Sequence, residues 1–134
     1  MADMPMPDEM ESFLAEPNPA VVATIRPDGL PHSVPTWYEW GGGLLLLNMD
    51  RSRRRLRHLA PGRPVALSVM ARSDWYSHVS FIGEVSELRD DPALVDIDRL
   101  SFRYRGRPYR DRTRESVTAL IRPSQWFSWG PMFG

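Results

Sequence analysis

Five arginines fall within seven residues, at Arg51, Arg53, Arg54, Arg55 and Arg57, directly after the apolar run at residues 44–48. Forked guanidiniums are the side chains best shaped to grip a phosphate or carboxylate in two places at once. Asp50 or Ser52 can cap a helix running to about Ala60, with Leu56 and Leu59 inward and Pro61-Gly62 as its stop. On such a helix some of the arginines sit three or four apart, where like charges repel by about 0.2–0.5 kcal/mol per pair, and they crowd the positive end of the dipole. An arriving phosphate relieves that crowding through charge-assisted hydrogen bonds worth about 1.5–3 kcal/mol each. The competing reading is a solvated face neutralised by Asp50 or by acids from elsewhere in the fold.

A second basic group spans residues 99–114, with seven arginines around Arg105-Gly106-Arg107-Pro108 and the acid Asp111. It reads either as a solvated loop or as one that folds over an anionic ligand or a partner. Aromatics collect at Trp37, Tyr38 and Trp40, at Trp75 and Tyr76, and at Trp126, Phe127 and Trp129. Strand alternation sends Trp37 and Tyr38 to opposite faces, so not all of these rings enter a core; a flat heteroaromatic ligand or a dimer interface suits the others. Tyr76 and His78 share a strand face and are the candidate proton donors, although no acid is identifiable in sequence as a partner for His78. No Gly-Xaa-Ser-Xaa-Gly nucleophile motif occurs, and Gly41-Gly42-Gly43 is a hairpin turn rather than a phosphate loop. Hard chemistry, if there is any, then belongs to a bound cofactor.

The elements that position these groups are mostly strands. Residues 1–8 are expected to form a mobile arm and residues 9–134 a single domain. Met10, Phe13 and Leu14 at helical spacing predict a short helix over residues 8–16, ended by Pro17. Residues 20–25 and 32–40 predict a hairpin about Pro27-Asp28-Gly29, and residues 44–48 a third antiparallel strand buried on both faces. A fourth strand is expected over residues 64–70 and a long fifth over residues 75–88, with Gly83 marking a bulge or close backbone approach. Residues 94–104 predict a helix, and the last strands, residues 116–121 and 125–129, are split by Pro123. The sum is a mainly β fold, a closed antiparallel barrel with three inserted helices.

Composition narrows the function. A chain of 134 residues has no room for a separate cofactor domain, so a site lies in one core or between two copies of it. The chain contains no cysteine and no lysine, which excludes thiol chemistry, cysteine metal sites and Schiff bases. His32, His58 and His78 lack ligand spacing, so no metal is expected. Zero net charge gives no global pull toward nucleic acid or membrane. No apolar run approaches the roughly 18 residues of a membrane span, and no signal peptide is recognisable, so a cytoplasmic location is expected.

Val22-Ala23-Thr24-Ile25-Arg26-Pro27-Asp28-Gly29-Leu30-Pro31, Val34-Pro35-Thr36-Trp37-Tyr38, Arg53-Arg54-Arg55-Leu56-Arg57-His58-Leu59 and Pro64-Val65-Ala66-Leu67-Ser68-Val69 occur in an order that resembles the pyridoxamine 5′-phosphate oxidase-like flavin-binding split barrels. Arg103-Tyr104-Arg105-Gly106-Arg107-Pro108-Tyr109 and Trp126-Phe127-Ser128-Trp129-Gly130 are similar to segments of the actinobacterial branch that uses the deazaflavin F420, and the match covers about residues 9–130. The resemblance implies a homodimer of six-stranded antiparallel split β-barrels, like FMN-binding proteins, with cofactor sites at the interface. By position, Arg53 and Arg55, with Arg54 between them, match the basic motif that holds the cofactor phosphate, and Asn48 and Met49 match the strand end beside it. His32, Pro35, Thr36 and Trp37 match the strand along the ring system, and Tyr76 and His78 match residues reaching in from the other subunit. The chain departs from the usual pattern with arginine at Arg55 where lysine is common, and with His58 where asparagine often stands.

The function so implied is an oxidoreductase transferring a hydride from reduced F420 to a small conjugated or heteroaromatic substrate. Two arginine groups suit the long polyanionic tail of that cofactor better than they suit FMN. The alternatives are an FMN-dependent oxidase or flavin reductase, and a cofactor or tetrapyrrole carrier without turnover. A nucleic-acid binder with stacking aromatics is the alternative from another class, disfavoured by the zero net charge and the lack of a recognition motif.

Overall fold

Two-residue periodicity makes residues 20–25 a strand, and burial follows it: Ala20, Val22 and Thr24 are buried and alternate with half-buried Val21, Ala23 and Ile25. The computed structural model describes residues 1–133. Its elements are β1 (Ala2–Asp3), α1 (Asp8–Ala15), β2 (Ala20–Ile25), β3 (Pro31–Thr36), β4 (Glu39–Gly41), β5 (Leu44–Asp50), β6 (Pro64–Ala71), β7 (Asp74–Asp90), α2 (Val95–Arg105) and β8 (Ser116–Trp129), with short 3₁₀ turns at Arg54–His58 and Pro131–Phe133. All strand pairs are antiparallel, in the order β3-β2-β6-β7-β8-β5-β4, with β1 added to β8. The six longer strands are those expected of the split barrel, and β1 and β4 are short additions.

The curl of the sheet follows from its connectivity. Its edge strands, β3 and β4, are joined only by Trp37 and Tyr38. Three Cα steps reach at most about 11 Å, so the sheet bends until its two edges nearly meet. The single strand expected over residues 32–40 is therefore two, on opposite edges, and β3 is not a neighbour of β5. Tyr38 breaks the strand because its ring is fully buried and its hydroxyl donates to the Glu16 carbonyl, while its backbone N–H donates to the Tyr104 hydroxyl at 3.4 Å.

Side-chain pattern decides the rest of the packing. Leu45 to Met49 of β5 are all buried, as a strand covered on both faces requires. Leu45, Leu47 and Met49 enter the barrel core with Val22, Val69, Phe81 and Ile121, while Leu46 lies beneath Leu94, Ile97 and Leu100 of the α2 region. Buried Asp91 starts α2 by accepting the N–H groups of Asp96 and Ile97, and Gly106, at φ +73°, ends it. Arg103 then ties α2 to α1 by donating to the carbonyls of Leu14, Ala15 and Glu16.

Three other expectations give way. Residues 1–8 are docked rather than a free arm: β1 pairs with Gln125 and Trp126, and Met6 is buried in the core. The expected helix after Asp50 is only a 3₁₀ turn, leaving two α-helices among the described residues. The Asp50 carboxylate folds the chain locally by accepting from the Ser52 N–H and hydroxyl, and the few residues before Pro61 hold crowded cations without an acid to offset them. Pro123 does not split β8. The β5 ladder ends at Ile121 and the β1 ladder starts at Gln125, so Pro123 has one neighbouring strand, and faces Gly83 at a register shift. Gly83 is required there, because a Cβ would lie 2.2 Å from the Arg122 carbonyl oxygen.

Candidate functional site: an arginine-lined cleft at the barrel seam

Where the sheet edges approach, a cleft of about 1160 Å³ opens between β3, the end of β5, the turn after it, and α2 with its following loop. His32, Pro35, Thr36, Trp37, Asn48, Met49, Arg53, Arg54 and Arg55 all line it. Strand β3 supplies a flat, partly apolar wall. Trp37 does not lie free across this wall: it stacks on Tyr104 at 5.5 Å between ring centres, with the Arg105 guanidinium 5.6 Å from its own ring. The bulk of Trp37 thus joins β3 to α2.

The opposite wall is cationic, and several arginines of the two basic groups stay out of it, held by acids. Arg51 is withdrawn by ion pairs to Asp90 and Glu115, Arg99 by Glu39 and Asp96, and Arg112 by Asp98. Among the described residues, Arg53, Arg54, Arg55, Arg105, Arg107, Arg110 and Arg114 form no ion pair, and every one of them lines the cleft. Arg55 is the most telling of them. Burial lowers its pKa, the charges of Arg53 and Arg114 lower it further, and its buried Nε has no hydrogen-bond partner. A buried unpaired guanidinium N–H is costly, and an anion bound in the cleft would offset that cost.

Proton chemistry within the cleft is limited. Burial raises the pKa of Tyr104, whose hydroxyl donates to the Asn18 carbonyl at 2.7 Å. Burial, reinforced by Tyr104, raises that of Tyr38. Both rings are committed to the frame. His32 stands on the cleft wall with its ring 5.4 Å from that of His58. His58 is buried and shares a 2.9 Å hydrogen bond with the Thr24 hydroxyl; burial, His32 and Arg26 depress its pKa.

Tyr76 and His78 are not in this cleft. Tyr76 stacks on Trp75 at 4.3 Å, His78 packs edge-on against Phe127 at 5.9 Å, and His78 pairs in register with Trp129. Trp75, Tyr76 and Trp129 are 68, 57 and 65% exposed, forming an aromatic patch on the outer ends of β7 and β8. Sequence reasoning did not bring Arg114, Tyr104 or Tyr109 to the cleft. The density of arginines over residues 99–114 was the available signal, without a register to aim it.

The model for the pyridoxamine 5′-phosphate oxidase family matches residues 6–130, and the chain belongs to that family. A solved F420 reductase is 30% identical, with a TM-score of 0.77 over 87% of this chain and 94% of that one. A conserved hypothetical protein from Mycobacterium tuberculosis is 25% identical, with a TM-score of 0.70 over 96% of this chain and 88% of that one. An FAD and heme binding protein from Mycobacterium smegmatis shares the fold at 19% identity, with a TM-score of 0.67 over 98% of this chain and 75% of that one. No curated protein sequence matches the chain. No described helix is long and apolar enough to cross a membrane.

Proposed function

We propose that the cleft holds the deazaflavin F420 and that the protein is an oxidoreductase acting on a small conjugated or heteroaromatic substrate. The observation that carries this reading is the accumulation of uncompensated arginines from two chain segments in one cleft beside a flat wall. It is supported by the 30% identity to an F420 reductase. The donor set fits the cofactor: Arg53, Arg54 and Arg55 would hold its phosphate, and Arg105, Arg107 and Arg110 would meet the carboxylates of its tail. When bound and reduced, the deazaflavin supplies a hydride equivalent to the substrate.

The chain's own residues then bind, orient and shield. Strand β3 offers His32, Pro35 and Thr36 as the surface against which a ring system lies. Asn48 and Met49 close the end next to the phosphate grip. Trp37, held by Tyr104 and Arg105, limits how far a substrate enters from the α2 side. His32 is the cleft-lining side chain placed to give or take a proton.

The same reading includes a homodimer. The exposed ring patch of Trp75, Tyr76, Phe127 and Trp129 is the surface for a second copy, and would carry Tyr76 and His78 into the other subunit's cleft. FMN is the second reading, favoured by the family model, because one phosphate grip is enough for it. The deciding experiment is a quenching titration with F420, with F420 lacking its glutamates, and with FMN. The F420 reading expects affinity in that order, and tighter binding of FMN overturns it.

A further inference from the structure

The antiparallel register of β5 and β8 sets side by side two arginine groups that are far apart in the chain. Asp50 pairs with Ser116, and the Arg51 N–H donates to the Glu115 carbonyl at 2.9 Å. Arg114 therefore lies just beyond the end of the ladder, beside the turn that carries Arg53 and Arg55. All three line the cleft.

A buried polar chain fixes how Arg114 is held. The carboxylates of Asp91 and Asp96 accept from the hydroxyls of Ser116 and Thr118 at 2.8 and 2.7 Å. Burial alone would raise the Asp96 pKa, but the Thr118 hydroxyl and Arg89, with Arg99 adding its charge, outweigh it and keep that acid ionised. The Thr118 hydroxyl gives its one proton to Asp96 and accepts from Asn48, while the Ser116 hydroxyl also lies 3.0 Å from the Asn48 Oδ1 and can give its proton there or to Asp91. The Asn48 Nδ2 donates to these two hydroxyls, of Ser116 and Thr118, at 2.8 and 3.1 Å. This turns the Asn48 Oδ1 outward, where the Nε and Nη2 of Arg114 donate to it at 3.2 and 3.1 Å. The Nη1 donates to the Tyr109 hydroxyl at 3.2 Å.

Both acceptors are neutral. Asp50 and Asp111 feel the Arg114 charge, yet direct their oxygens to Ser52, Glu115 and Thr113 and form no ion pair with it. We propose that Arg114 is the third arm of the anion grip, acting with Arg53 and Arg55 on one phosphate or similar oxyanion, and that Asn48 is its positioning residue, holding the guanidinium in place without neutralising it. An acid at position 48 would cancel the charge of Arg114 and, having no N–H, could not donate to the Ser116 and Thr118 hydroxyls. The inference rests on the cofactor-site reading only for the identity of the natural ligand.

The test uses inorganic phosphate as the probe, so that failure of the deazaflavin reading leaves it standing. Calorimetric titration at low ionic strength compares the wild type with Arg114→Gln, Arg114→Lys, Asn48→Ala, the double variant Asn48→Ala/Arg114→Gln, and Arg112→Gln. Arg112 lies outside the cleft in an ion pair with Asp98 and serves as the charge control. Arg114→Gln should weaken phosphate binding by about tenfold or more. Arg114→Lys should recover part of the loss, and Arg112→Gln should change little. Asn48→Ala should weaken binding in the wild-type background and have no further effect beside Arg114→Gln, because it acts only through that arginine. Melting without phosphate identifies any variant that has lost its fold, and Arg114→Lys then carries the comparison. The proposal is overturned if the wild type does not bind phosphate, if Arg114→Gln binds as the wild type does, if Arg112→Gln loses as much, or if the Asn48 and Arg114 losses simply add.

Discussion

Replacing Arg55 with Met should make the ligand-free protein more stable and the liganded one weaker. The guanidinium is half-buried, its Nε has no partner, and the charges of Arg53 and Arg114 press on it. A buried donor left unsatisfied costs about 1–3 kcal/mol. Met keeps the apolar stem and removes both the donor and the charge. Because part of the side chain still reaches solvent, a gain near the low end is expected, about 1 kcal/mol, or a rise in melting temperature of about 3–5 °C. Toward an oxyanion the same change removes one or two charge-assisted bonds, about 2–4 kcal/mol, which is about thirtyfold to a thousandfold in affinity. Scanning calorimetry of the ligand-free protein and a quenching titration with F420, both on the same preparation, read the two effects. A lower melting temperature with affinity unchanged would mean that Arg55 serves the fold, and the anion-grip argument would fail.

The outer aromatic patch predicts a dimer at micromolar concentration by sedimentation, with Trp75→Ser and Trp129→Ser shifting it toward monomer; a wild-type monomer removes Tyr76 and His78 from the site. His58 has its pKa depressed below 6.5, so folding favours its neutral form: that stability is complete above pH 6.5 and is lost as the pH falls through the lower folded value. Thermal melts should therefore decline as the pH falls below about 6.5, above the range where Asp96 and Asp98 titrate, and a His58→Gln variant should flatten that decline; an equal slope in the variant contradicts it. Gly83→Ala places a carbon 2.2 Å from a backbone oxygen and should cost about 2–4 kcal/mol in denaturant unfolding, whereas a loss under 0.5 kcal/mol would mean the bulge yields freely.

Local pattern exposed what local forces decide. The alternation of β7, the two-sided burial of β5, the helical spacing of α2 and the close approach at Gly83 were all legible. The break at Trp37–Tyr38 was not, because both residues favour strands and only the distant partners Glu16 and Tyr104 pull Tyr38 out of the ladder. The turn at Arg54–His58 looked helical by spacing, and charge crowding outweighed that spacing. Pro123 looked like a strand end because nothing local reveals that its free edge falls between two ladders. On the cleft, the arginines nearest β5 were readable from their density. Arg114 was not, since its place depends on the β5–β8 register and on an amide turned by two buried acids.

The most direct test of the central claim, that the cleft is built for a long polyanionic deazaflavin, is the affinity ratio between F420 and F420 stripped of its glutamates, measured by fluorescence quenching in wild type and in Arg105→Gln/Arg107→Gln/Arg110→Gln. Wild type should prefer the full-length cofactor by about tenfold or more, and the triple variant should lose that preference while still binding the stripped form. Equal affinity of the wild type for the two forms, or tighter binding of FMN than of either, contradicts the account.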